Sequence, residues 1–171
     1  VQGVPEVAGW FDVFAVNTLG LPFNSGLVLH IILLFTALIG TYISTLRRPA
    51  NLMLIRIGFL ASVILMGIPF MGSGWIIPTL IIIGLSIYLF KASSLHLRTI
   101  NVMVVSMFVF FLGVSTYGVI LIRANSDIPM NQNTPSNVFS LRYYLSRDQY
   151  GKSPLLYGQS FASLPAYESD G

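Results

Sequence analysis

Cysteine is absent from the chain. That removes disulfides, cysteine-based zinc sites and thiol nucleophiles together, while leaving the redox compartment open. Charge is scarce as well: 9% of the 171 residues are charged, against roughly a quarter in a soluble domain. The nine Lys and Arg are scattered and form no basic stripe, so the net charge of +3 is not a nucleic-acid signature. Acidic residues are missing from every long apolar run, which excludes a proton relay or carboxylate metal site built inside them. No charged leader or signal-type cleavage pattern precedes those runs, position 1 is Val, and the chain closes on Glu168-Ser169-Asp170-Gly171. The expectation is a piece of a longer polypeptide.

What is abundant is hydrocarbon. Hydrophobic residues make up 54% of the chain and the mean hydropathy is +0.77, which places it among integral membrane proteins, and the segments below make it all-α. Residues 4 to 18 put Val4, Val7, Ala8, Phe11, Phe14 and Ala15 at helical spacing, interrupted by Glu6 and Asp12. That segment is too short and too charged to span, and predicts an interfacial amphipathic helix with Trp10 at headgroup depth. Leu19 to Gly26 is turn chemistry, read as a connector. Four spanning helices follow: Gly26 to Leu46, stopped by Arg47-Arg48-Pro49; Leu52 to Met71; Trp75 to Phe90, closed by Lys91; and Val102 to Ile122. Short links make neighbours antiparallel. The predicted organisation is residues 1–25 as interfacial helix and loop, 26–122 as the bundle, and 123–171 as an external polar tail with short helical and extended parts, leading to a soluble domain.

Orientation follows from the basic residues. Arg47, Arg48, Lys91 and Arg98 fall in links on one side, and the link at Gly72 to Gly74 on the other side has none. The positive-inside rule makes the basic links cytoplasmic and puts both the start and the tail outside, in the periplasm for an inner-membrane protein. Arg56 then snorkels to the basic interface. Arg123 ends the fourth helix on the external face and admits two readings: satisfying the last carbonyls, or receiving an anion. His30, one turn inside the first span, is read as a neutral imidazole bonded to a neighbouring helix before it is read as functional. His96 is read as a loop residue. Small residues at Gly58 with Ser62, and at Gly113 and Gly118 with Ser115 and Thr116, predict close helix contacts. In the tail, Thr134 is the expected cap, Pro135 the first helical residue, and Val138, Leu141 and Leu145 one apolar stripe, with the helix stopping near Tyr150-Gly151.

The run IRANSDIPMNQNTPSNVFSLRYYLSRDQYGKSPLLYG, residues 122 to 158, together with VNTLGLPFNSG at 16 to 26, resembles the signature of a family of large bacterial polytopic membrane proteins. These are catalogued as domain of unknown function 2723 and grouped as glycosyltransferase family 117. The matching positions include Arg123, the turn Asn131-Gln132-Asn133 with Pro135, and Tyr144, Arg147, Gln149, Tyr150 and Gly151. Asp148 stands where Glu is usual, while Lys152 and Ser153 depart from an acidic residue and an arginine. The resemblance covers about residues 4 to 161.

It implies a GT-C type glycosyltransferase, similar to protein O-mannosyltransferases, that moves a sugar from a lipid-phosphate donor to protein on the external face. The later part of the membrane domain and the start of the soluble domain would be in hand. The catalytic base would lie upstream, with no catalytic residue, metal or cofactor assigned in this chain. Under that resemblance Arg123 becomes the first candidate for the donor phosphate and Arg147 the second, with Asn133, Gln149 and Tyr150 as further substrate-binding candidates. The partners implied are the lipid-linked donor, an acceptor protein, membrane lipid and the upstream polypeptide, and no nucleic acid. A non-catalytic membrane module of an envelope or secretion assembly is the alternative, and a transporter, hinted at only by His30 and Pro69, ranks last.

Overall fold

The structure, a computed structural model, describes residues 3–70, 75–91, 96–126 and 134–146. Among them the regular structure is entirely α-helical. Helix α1 (Gly3–Leu19) ends where Gly20 takes a φ of +65°, returning the Leu21 N–H to the Ala15 carbonyl at 3.1 Å. Helix α2 (Ser25–Leu46) is the first predicted span, and at 22 residues it is about 33 Å long. Its cap residue Asn24 is left-handed, which the short polar side chain of Asn tolerates.

Helix α3 (Leu52–Leu65) starts under a side-chain cap, the Asn51 Oδ1 accepting from the Leu54 N–H at 3.2 Å. The sequence predicts a span to Met71, but the helix stops at Leu65. Gly67 at φ +72° breaks the ladder and Pro69 cannot rebuild it, so the apolar run outlasts the helix. Helix α4 (Ile76–Lys91) follows, then α5 (Leu97–Ser115) and α6 (Gly118–Ala124). The last of these spans therefore begins five residues before the predicted Val102, because Leu97 to Asn101 already continue the helix. It is interrupted at Thr116 and Tyr117, where N–H groups turn to carbonyls three residues back and Thr116 Oγ1 donates to the Gly113 carbonyl.

Two stretches are long and apolar enough to cross a membrane, Ser25–Leu46 and Leu97–Ala124. The apolar α3 and α4 are shorter, about 21 and 24 Å. Helix α2 is the hub. Leu34 and Leu38 meet Ile55, Phe59 and Val63 of α3 and Val104 and Phe111 of α5, with Phe35 edge-on to both Phe108 and Phe111. Gly58 lets α3 approach until Thr41 of α2 occupies the space a Cβ would need, so the small-residue contact predicted there is made. Among the described residues nothing lies within 4 Å of where a Cβ would stand at Gly113 or Gly118, where a close contact is also expected.

The up-and-down order sorts charge by end. Arg47, Arg48, Lys91 and Arg98 gather at one end of the bundle with Arg56, whose guanidinium lies 6.0 Å from the Phe90 ring centroid. At the opposite end lie α1, the close of α6 and the tail helix α7 (Val138–Ser146), which packs on α1. Tail helix α7 starts three residues beyond the expected place. Asn137, not Thr134, is the cap: its Oδ1 accepts from the Ser140 N–H at 2.8 Å, and the Ser140 hydroxyl accepts from the Asn137 N–H at 3.1 Å. Pro135 is buried ahead of the helix and is not its first residue.

Candidate functional site at the tail end of the bundle

Helix α1 carries two acids, and the fold uses them differently. Asp12 is turned inward and is 2% exposed. Its Oδ1 accepts from the Gly26 N–H at 3.1 Å, placing a carboxylate at the N-terminus of α2, where unpaired N–H groups and the helix dipole favour negative charge. Gly26 is required for this, because a Cβ there would run into the α1 backbone at Phe11 and Asp12. Glu6 faces α7 and pairs with Arg142 at 3.6 Å. Between them Gly9 leaves room for the Phe139 ring, and Val138 and Leu141 of α7 are buried. Helix α1 is thus held by packing on α2 and α7 as well as by an apolar face.

His30 sits under this junction, 1% exposed, with Nε2 2.8 Å from the Leu65 carbonyl. The carbonyl can only accept, so Nε2 donates, and the imidazole satisfies one of the last carbonyls of α3. That is the structural role expected for it. The ring also lines a partly open cavity of about 130 Å³ between α1, α2, α5, α6 and α7, whose walls are mainly apolar, among them Val4, Ala8, Leu27, Phe111, Leu121 and Val138, with Ser115 and Tyr117. Such a lining can hold hydrocarbon and offers little to a polar ligand.

Arg123 is exposed in the last turn of α6. Leu121 and Gly118 face the cavity, and a residue two positions past Leu121 points about 200° around the helix, away from it. Arg123 therefore looks outward beside Ile122, with no ion pair or hydrogen bond to its guanidinium among the described residues. Asn125, immediately after, caps the Leu121 carbonyl at 2.8 Å and reaches the Ser136 carbonyl at 3.0 Å, tying α6 to the start of the tail segment. Asn133, Arg147, Gln149 and Tyr150 lie outside the described residues, as does the predicted stop of the tail helix at Tyr150-Gly151.

Four features escape a sequence reading: the burial of Asp12, the Glu6–Arg142 pair, the Asn125 tie, and the stacking of Trp10 on Trp75. The indoles are 5.3 Å apart and 16° from parallel, with Phe70 edge-on to Trp10 at 4.7 Å. His96 stands at the start of α5 without capping it and lines a second cavity with Tyr88 and Phe59. Among the described residues no group of three His, Cys, Asp or Glu is placed to hold a metal. In comparisons with known proteins, the chain matches no family model, no curated protein and no solved structure.

Proposed function

We propose that this chain is the later part of the membrane domain of a GT-C type glycosyltransferase, with the start of its external domain, acting on a lipid-phosphate-linked sugar. On this reading the bundle is multi-pass in the inner membrane. The helices α2, α3, α4 and α5–α6 cross it, and α1 lies at the periplasmic interface with Trp10 and Trp75 at headgroup level. The Arg47-Arg48 end faces the cytoplasm and α7 the periplasm, with the apolar flanks meeting lipid or the upstream polypeptide.

The single observation that carries the reading is Arg123. It stands at the polar end of a long apolar helix, inside the sequence run that resembles the family signature, exposed and without an acidic partner among the described residues. In the reaction an acceptor hydroxyl attacks the anomeric carbon, the bond from that carbon to the phosphate oxygen breaks, and the lipid phosphate leaves carrying its charge. A guanidinium grips such a phosphate through two parallel N–H···O bonds and stabilises the leaving group. Among the described residues Asp12 bonds the Gly26 N–H and Glu6 pairs with Arg142, and on this reading the proton of the acceptor goes to a base supplied by the upstream part.

Replacing Arg123 by Gln in the full-length protein tests this. The expected result is loss of glycosyl transfer with unchanged expression and folding, partly restored by Lys. Undiminished transfer would remove Arg123 from the reaction. The second reading, a non-catalytic membrane module of an envelope or secretion assembly, is favoured by the apolar lining of the junction cavity. It predicts no transfer by any variant.

A further inference from the structure

From Val13 to Ser126 the sequence holds no aspartate or glutamate, while Arg47, Arg48, Arg56, Lys91 and Arg98 all fall at one end of the bundle. At that end a partly open cleft of about 300 Å³ lies between α3, α4 and α5, and its lining changes with depth. Tyr88, His96 and Thr99 lie within a turn of the α4–α5 link, and all three are exposed. Phe59, Leu85 and Met103 lie about two turns in from the basic ends of their helices, roughly 10 Å deeper at 1.5 Å per residue. Lys91 closes α4 at the polar rim. Arg56 lies on the other flank of α4, beside Phe90, and Arg98 projects about 200° round α5 from His96, so both add to the field at the rim without lining it.

We propose that this cleft seats one anionic phospholipid of the membrane, an acyl chain against Phe59, Leu85 and Met103 and the phosphate at the rim beside Lys91. Charge complementarity and the order of the lining carry the inference. Basic clefts between spanning helices suit anionic headgroups, each nearby cation adding to the attraction. A free phosphate matches the rim but leaves the apolar depth empty. A zwitterionic lipid matches the depth but brings its own cation to an end already positive. The seat also gives α4 a second support, since that helix packs on α3 and buries only Pro78 and Leu89 among the described residues. The lipid stands at the opposite end of the bundle from Arg123 and is no sugar donor. The inference therefore goes beyond the transferase reading and needs only that the basic end meets a headgroup layer.

The test releases the full-length protein from discs holding equal amounts of phosphatidylglycerol and phosphatidylcholine with the same acyl chains, and counts the lipids it carries by native mass spectrometry. The wild type should carry about tenfold more phosphatidylglycerol than phosphatidylcholine, and Lys91→Gln should lower that ratio about fivefold. Thr99→Trp at the rim and Met103→Trp in the depth, both at exposed positions, should each lower the retained phosphatidylglycerol about tenfold. Ile83→Trp, on the outward face of α4, should leave it unchanged. If both cleft variants carry phosphatidylglycerol like the wild type, the lipid binds elsewhere and the seat is overturned. Equal counts of the two lipids on the wild type, or no retained lipid because the upstream polypeptide fills the cleft, overturn it as well. Glycosyl transfer is not the readout, so the outcome is independent of the role given to Arg123.

Discussion

The two longest apolar helices are alike in hydropathy and opposite in surroundings. Helix α2 buries His30, Thr41, Ser44 and Thr45, and each of these polar side chains bonds a backbone carbonyl at 2.6 to 2.8 Å. The α5–α6 stretch buries only Ile100, Val104 and Phe111. Its exposed side chains are mainly apolar, among them Val102, Val105, Val109, Leu112, Val119 and Ile122, with Ser106, Phe110, Ser115 and Tyr117 between them. The difference separates a hub, whose buried polar side chains from His30 to Thr45 are satisfied by backbone carbonyls, from a stretch that buries few side chains among the described residues.

Substitutions at the α1 junctions sharpen that contrast. The largest effect is expected for Gly26→Ala, because the new Cβ meets the backbone of α1, which cannot move aside without breaking the Asp12 cap. Overpacking of this kind should cost more than about 3 kcal/mol in unfolding from mixed micelles. His30→Leu comes next: it strips the Leu65 carbonyl of its donor in an apolar setting, worth about 1–3 kcal/mol by the same measurement. Gly9→Ala presses on a side chain, the Phe139 ring, which is half-exposed and can yield. Its cost should be about 1 kcal/mol, with protease sensitivity rising in the tail helix before the bundle. Glu6→Gln is the smallest, about 0–1 kcal/mol and absent in high salt, since Arg142 is half in solvent. An order in which Glu6→Gln outweighs Gly26→Ala would mean that the α1 junction is held by charge and not by close backbone packing.

Much of the bundle is local and so was readable. The extent of α2 differs from expectation by one residue, because Gly26 and Arg47-Arg48-Pro49 punctuate it directly. The end of α3 was not readable, because Ile68 and Phe70 prolong the apolar pattern past a glycine whose positive φ only the fold reveals. Thr134 and Asn137 are both good caps by composition, and the choice between them is made by the Ser140 hydroxyl and by the burial of Pro135. Asp12 reads as a surface acid until α2 is folded beside it. Its partner is a backbone N–H, which no side-chain pattern advertises. At the candidate site, Arg123 was legible as a charge at a boundary, whereas the direction in which it points depends on which face of α6 the tail helix covers.

The account turns on one topological claim, that Arg123 and α7 emerge on the opposite side of the membrane from Arg47, Arg48 and Lys91. The natural absence of cysteine in this sequence makes single-cysteine labelling direct. In intact cells producing the full-length protein from which other cysteines have been removed, a membrane-impermeant maleimide should modify Ser126→Cys from outside and reach Lys91→Cys only after permeabilisation. Labelling of Lys91→Cys from outside, with Ser126→Cys protected until the cells are opened, would contradict it.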